Sequence, residues 1–424
     1  MAAAAQEPAL TCFAPHQGLL PVPEVERRLA ELARPCVAGE RVPLAHAAGR
    51  ILAEPLLAPR DVPAFDNVAV DGWAFSSASL AAEGPTSLRI LAGRAAAGHP
   101  FAGEVPPGHA LQALTGAPMP AGTDTVAMWE ECRVEDATVV IPAGYRPRAN
   151  RRKAGEDIRA GATVLAAGTR LAPQHLGIAA ELGLADLPVF APLRVALLSS
   201  GDELLEPGRP FRAGCVYDAN RAMLRALLER LPCTVTDLGI LPDDGPSVRR
   251  TLLEAAAGHD VIVSSAGASK GAEDHLARTV ASEGELAFWQ IAMKPGRPFA
   301  AGRLGRATYV GLPGNPVAAI VCFLRFARPL LLALAGAPFA PPRPVLLPAA
   351  FSFTKGAGRT ELLRARLIRT QDGGLAVERI PREGSGILTS LSEADGLVEL
   401  AAERTRVEPG ELVPYHALAA LGCG

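Results

Sequence analysis

A chain of 424 residues is longer than one ordinary domain and suggests about two to four of them. Hydrophobic residues make up 49% and charged residues 20%, enough apolar surface for large cores and too much for a disordered polymer. With a net charge of −2 there is no basic stripe to neutralise a nucleic-acid backbone, whereas an anionic small molecule needs only a few local cations.

Residues 1–16 are Ala-rich, without periodicity, and read as a loose tail. The segment 23–32 carries apolar residues at Val25, Leu29 and Leu32 with carboxylates in its first turn, which predicts a helix. A second short helix is expected over 44–53. From Arg60 to Ile141 short apolar runs alternate with Gly and Pro, as around Leu88–Leu91, Ala110–Leu114 and Thr125–Trp129, and predict a small β domain. Another Gly-punctuated segment follows, with a helix from Pro173 to Leu182.

From Leu193 the rhythm becomes strand, loop, helix, repeated. Strands are expected at 194–198, 235–241, 260–265, 288–293 and 308–312, with helices at 219–231, 247–257, 273–283 and 316–334. That alternation predicts a parallel α/β sheet covered on both faces. The apolar run 317–335 is interrupted by Arg325 and Arg328, so it is expected to be a buried helix and not a membrane span. Prolines over 337–344 make a linker, beyond which 361–368 and 397–401 look like strands of a closing β domain.

The expected division is therefore 17–60 with 150–188 as an elongated dimerisation domain, 61–149 as a small β domain, 189–336 as the α/β domain and 337–424 as a C-terminal β domain. The seven cysteines show no Cys-x-x-Cys spacing, and no two of the eight histidines lie within four residues of each other. A disulfide scaffold and a zinc site are both disfavoured, and any metal is expected to be a hard one on oxygen ligands. The N-terminus lacks a positive region followed by an apolar stretch, which makes the cytoplasm the default location.

In an open α/β sheet, ligands bind beyond the carboxyl ends of the strands. Five expected strand ends here carry glycine-bearing loops: Ser199–Glu203, Pro242–Gly245, Ser264–His275, Lys294–Pro298 and Leu312–Pro316. Small residues such as Gly201, Gly267 and Gly314 let backbone N–H groups approach an anion, and Pro316 suits the first position of a helix whose start is left open. Ser200, Ser269, Pro313 and Asn315 belong to the same loops, and Lys270, Lys294 and Arg297 add charge, so the set reads as a phosphate cradle. No single loop is diagnostic: Gly271 follows Lys270 where a P-loop would have Ser or Thr. Glu203, Asp243 and Asp274 would repel a phosphate at this edge unless a cation such as Mg²⁺ bridged them. Asp243 and Asp274 have an alternative reading as helix caps. Upstream, Asp66, Asn67 and Asp71 concentrate polar groups in an apolar segment, although Asp71-Gly72 alone is an ordinary hairpin turn.

The segments PAFDNVAVDGWA (63–74), TGAPMPAGTD (115–124), Gly155-Glu156-Asp157, SGDEL (200–204), KPGRP (294–298) and LPGNP (312–316) resemble, in order, the motifs of the molybdopterin molybdenumtransferase family of MoeA-like proteins. The resemblance implies an α/β domain of the molybdopterin-binding kind, flanked by an elongated segment and two β domains, in a homodimer. It implies insertion of molybdate into adenylylated molybdopterin with release of AMP, assisted by Mg²⁺. Asp71, Thr115, Asp157, Glu203, Asp243, Asp274, Lys294 and Arg359 would be the functional residues, with Asp71 and Thr115 supplied by the partner subunit. Molybdate would rest on Lys294, backbone N–H groups and Arg359. Contacts with a molybdopterin adenylyltransferase and with apo-molybdoenzymes would be transient. The sequence departs from the family pattern at Gln290, where lysine is usual, at Ala266, where glycine is usual, and at Lys270, where a small apolar residue is usual; Lys270 is expected to return the charge missing at Gln290. The rival readings are a non-catalytic molybdopterin carrier, favoured by Gln290, and an adenylyltransferase acting one step earlier.

Overall fold

The structure is a computed structural model and describes residues 19–266 and 275–423. Its central sheet runs in the order Cys233–Leu241, Leu193–Ser200, Val261–Ser265, Ala307–Leu312, Ala300–Leu304, Glu285–Trp289. The first four strands are mutually parallel, as the rhythm of the sequence predicts. Ala300–Leu304 runs antiparallel to both of its neighbours, making the sheet mixed. Strand Ala300–Leu304 is missing from the sequence reading because Gly302 and Arg303 interrupt its apolar run; it forms as the outer arm of a hairpin turning at Gly305. The expected strand 288–293 instead ends at Trp289, where Gln290 takes a left-handed backbone conformation with φ 71°. The chain then leaves this sheet: Met293–Lys294 pairs in parallel with Thr360–Arg369 of the C-terminal sheet.

Strand Leu193–Ser200 explains why both faces are covered. Val195 and Leu197 point into one core with Val263, Val310 and helix Ala219–Leu228, while Ala196 and Leu198 point into another with Ile262, Leu252, Leu276 and Tyr309. Helix Pro316–Leu334, wound more widely over Phe323–Ala327, is long and apolar enough to cross a membrane, yet 89% of it is buried inside the fold. It is a core helix, as expected.

On the N-terminal side two stretches of chain run antiparallel, through pairs Gly39–Pro43 with Asp186–Phe190, Leu56–Leu57 with Thr163–Leu165, and Asn67–Val68 with Arg151–Arg152. The expected helix over 44–53 is a single turn, Leu44–His46; Gly49 at φ 74° breaks it, and Ile51 and Leu52 bridge to Arg170 and Val189. The intervening six-stranded sheet, built from strands between Gly72 and Ile141, buries apolar clusters on both faces. The C-terminal sheet is ordered Met293–Lys294, Thr360–Arg369, Gly396–Leu400, Leu412–Ala417, Val345–Pro348, with Leu375–Arg379 also paired to Thr360–Arg369. A buried network pins it to the rest: Arg325 pairs with Glu26 of helix Val22–Leu32 at 2.6 Å and with Glu399 at 2.9 Å, and His416 reaches Glu399 at 3.0 Å.

A loop-lined cleft and a cationic pocket as the candidate active site

Register brings the strand ends together. Ser199 lies opposite Ser265, Ser265 opposite Leu312, and Ser200 opposite Leu241, so the following loops fan out from one edge. The chain switches direction across the sheet between Leu193–Ser200 and Val261–Ser265, the place where a parallel α/β sheet opens a crevice. A cleft of about 620 Å³ lies there, lined by Ser200, Glu203, Asn220, Ser265, Gly314 and Asn315 among others.

Asn220 organises this cleft. It is 7% exposed, and its side-chain amide donates to Ser265 Oγ at 2.8 Å and to the Gly314 carbonyl at 2.7 Å, tying the ends of two strands to one helix. Asp218, two residues earlier, caps that helix by accepting from the Arg221 N–H at 3.0 Å. Next to them Ser200 Oγ donates to Asp243 at 3.0 Å, and Asp243 also accepts the Asp202 N–H at 3.3 Å. The capping role for Asp243 does not hold: Asp244 accepts from Ser247 N–H at 2.9 Å and caps helix Gly245–Gly258, leaving Asp243 turned to the Ser200 loop. Glu203 is exposed on the cleft wall and folds back on Gly201, where an added Cβ would lie 2.5 Å from its carboxylate.

A second cavity, of about 370 Å³, shares Pro298, Pro313 and Asn315 with the cleft and opens between the α/β and C-terminal sheets. Lys294, Arg297, Arg359, Arg364 and Arg379 line it against only two carboxylates, Glu361 and Glu383. Glu361 is buried and lies 3.6 Å from Lys294 Nζ, and Glu383 pairs with Arg379 at 2.7 Å while the Arg379 guanidinium sits over Phe353 at 5.0 Å. Burial pushes the Arg364 guanidinium below its ordinary range, opposed by the charge of Glu383 and aided to a lesser extent by the like charge of Arg379. The helix start expected to stand open is partly closed: Pro316 has no N–H to offer and Val317 donates to the Ser385 carbonyl at 3.0 Å.

Of the residues singled out from sequence, Ser200, Glu203, Pro313, Gly314 and Asn315 meet in the cleft, with Gly201 and Asp243 beside them. Lys294, Arg297 and Arg359 meet in the pocket. Gly267, Ser269, Lys270 and Asp274 lie outside the described residues, and among the described residues no group of three or more His, Cys, Asp or Glu side chains is placed to hold a metal. Asp71, Thr115 and Asp157 line neither cavity. Thr115 donates to Asp71 through both its N–H and its hydroxyl, each at 2.7 Å, and these bonds hold the Asp71 carboxyl below its ordinary range. Asp157 is exposed, with its N–H on the Val62 carbonyl. Gln290 lines neither cavity; it is 9% exposed and its backbone bonds Phe299 and Leu20. Sequence reasoning missed Asn220, Arg364, Arg379 and Ser385. Only Asn220 left a signal, as a polar residue on the first turn of a helix capped by Asp218.

A switch-point cleft joined to a cationic pocket, in a chain with β sheets on both sides of the α/β sheet, makes this a multidomain α/β protein with a positively charged candidate site. Residues 20–183 match the family described as MoeA N-terminal region (domain I and II), residues 196–333 match "Probable molybdopterin binding domain", and residues 347–418 match MoeA C-terminal region (domain IV). The chain belongs to the MoeA family. Over 385 residues it is 37% identical to a molybdopterin molybdenumtransferase of Haemophilus influenzae, covering 89% of this chain and 94% of that one. It is 34% identical over 407 residues to molybdopterin molybdenumtransferase 2 of Mycobacterium tuberculosis, covering 92% and 97%. The crystal structure of the molybdopterin biosynthesis moeA protein from Pyrococcus horikoshii superposes with a TM-score of 0.80 at 27% identity, covering 94% of this chain and all of that one.

Proposed function

We propose that this transferase of molybdenum cofactor biosynthesis inserts molybdate into adenylylated molybdopterin, yielding the cofactor and AMP. The observation that carries the reading is the shared wall of Pro298, Pro313 and Asn315, which puts a cleft with free loop edges next to a pocket holding five cations against two carboxylates. The pterin with its phosphates fits the cleft, where the Ser200 and Gly314 loops offer small side chains and backbone donors. Molybdate, a compact dianion, fits the pocket, held by Lys294, Arg297 and Arg359. Both reactants are then in contact before any bond changes, which removes much of the entropic cost of bringing two anions together.

Glu203 and Asp243, with Asp274 outside the described residues, would hold Mg²⁺; as hard oxygen donors on and beside the cleft wall they suit that ion. When bound, the ion neutralises charge on the phosphoanhydride. Asp71 and Thr115 would act from the other subunit of a homodimer, and Asp157 would be a further functional residue of the N-terminal side. The six cysteines described are all unpaired, which fits the cytoplasm. Adenylyltransferases and apo-molybdoenzymes would meet the protein transiently. The carrier alternative rests on the charge missing at Gln290, which is 9% exposed and lines neither cavity.

The test is AMP release by the purified protein with adenylylated molybdopterin, Mg²⁺ and molybdate. Release that requires molybdate, disappears in Asp243→Ala, and shows a KM for molybdate raised about tenfold in Lys294→Ala supports the insertase. Tight binding of the pterin with no turnover would replace it with the carrier.

A further inference from the structure

Among the cations that line the pocket, Arg359 is placed by its backbone alone. Lys294 lies near Glu361, Arg379 pairs with Glu383, and Arg364 donates to the Arg382 carbonyl. Arg359 is exposed, and among the described residues its guanidinium makes neither a hydrogen bond nor an ion pair. It ends an exposed turn, residues 356–359, that leads from Phe353–Thr354 into Thr360–Arg369 and contains two glycines, Gly358 with φ 92°. A turn of this composition can take many shapes unless something holds it.

Lys355 holds it. This residue is only 8% exposed, and its ammonium donates to the Arg359 carbonyl at 2.8 Å, to the Ala402 carbonyl at 3.3 Å and to the Gly356 carbonyl at 3.4 Å. Backbone bonds fix the same frame: Lys355 N–H donates to Thr405 O and Gly358 N–H to Ala402 O, each at 2.9 Å. At the far end Thr360 N–H donates to Ala292 O at 2.9 Å, which lays the turn beside Met293–Lys294. Burying an ammonium is costly unless its donors are satisfied, and Lys355 makes no ion pair among the described residues. Three carbonyl oxygens meet its three donors instead, and the shortest contact is to Arg359 itself. Lys355 does not line the pocket, so what it acts on is the chain that carries Arg359.

We propose that Lys355 is a positioning residue of the cationic pocket: by gathering the carbonyls of Gly356, Arg359 and Ala402 it sets the turn so that Arg359 faces the bound anion. The inference rests on the reading that Lys294, Arg297 and Arg359 hold molybdate.

The experiment compares AMP-release kinetics of full-length variants, with molybdate and adenylylated molybdopterin varied in turn. Arg359→Ala is the reference and should raise KM for molybdate about tenfold. Lys355→Met keeps the buried stem and removes the ammonium. It should raise the same KM about threefold to tenfold, while kcat and KM for adenylylated molybdopterin change less than about twofold. Because this change also removes a positive charge, two further variants separate position from charge. In Lys355→Met/Arg359→Ala the effects should not add, KM staying near that of Arg359→Ala, since the tether has no guanidinium left to place. Gly358→Ala keeps the charge, adds a methyl that meets no atom within 4 Å and strains only the turn's backbone. It should raise KM for molybdate as well, and it replaces Lys355→Met in the comparison if that chain does not fold. An unchanged molybdate KM in Arg359→Ala would mean that the reading of the pocket is wrong. With that KM raised, three results would each overturn the role of Lys355: molybdate kinetics of Lys355→Met and Gly358→Ala within about twofold of the parent, additive effects in the double variant, or a rise in KM shared equally by both substrates.

Discussion

Replacing Asn220 by alanine removes a side chain that joins two strand ends to a helix at the floor of the cleft. Its amide makes bonds of 2.8 Å to Ser265 Oγ and 2.7 Å to Gly314 O at a site only 7% exposed. A buried acceptor deprived of its donor costs about 1–3 kcal/mol, and Ser265 can rotate its hydroxyl to recover part of its loss, so the pair should be worth about 2–4 kcal/mol. Asn220→Asp is the sharper form: the shape is retained, but an acceptor now faces the Gly314 carbonyl, and the loss should equal or exceed that of alanine. Urea unfolding followed in the α/β domain measures the stability term, and AMP-release kinetics measure the functional one. With the Gly314 loop released from Ser265, KM for adenylylated molybdopterin should rise more than KM for molybdate. The reasoning fails if both variants lose less than about 0.5 kcal/mol, the range of an ordinary surface change, with kinetics unaltered.

Gly296 has φ 111°, and an added Cβ would lie 2.5 Å from Cys322 Sγ and 2.7 Å from Met293 Cε. Gly296→Ala should therefore destabilise the Lys294–Pro298 loop by about 1–3 kcal/mol, and Cys322→Ala in the same chain should restore part of it, seen as a non-additive pair in thermal unfolding. The Glu399 carboxyl is pushed up by burial, but its bonds with His416 and Arg325 outweigh this and hold it at about 2, against an ordinary value of 4.5. A depressed carboxyl stabilises the fold above its ordinary value and loses that contribution as pH falls from 4.5 towards about 2. Glu399→Gln should thus flatten the acid limb of stability over that window; an unchanged slope would mean the network carries no linkage.

Much of the architecture was legible in the chain because its signals are local. Continuous apolar runs ending in glycine-bearing loops, as at Val261–Ser265 and Ala307–Leu312, mark buried parallel strands whatever lies around them. The exceptions each have a visible cause. Gly49 cuts a helix to one turn, Gln290 ends a strand early, and Gly302 hides another strand. The cradle residues Ser200, Glu203, Gly314 and Asn315 could be found because loops after parallel strands converge on one edge by topology alone.

What the sequence by itself determined is thus the order of elements, the family and the loops that carry the cleft, since each rests on spacing within a short segment. Which residues face one another across segments was decided only in three dimensions. Arg364 and Arg379 are unremarkable on their own strands, and they become part of a cationic pocket because Met293–Lys294 leaves one sheet to pair with another. Asp243 and Asp244 are adjacent carboxylates, and only the geometry of the turn gives one to the helix and the other to Ser200.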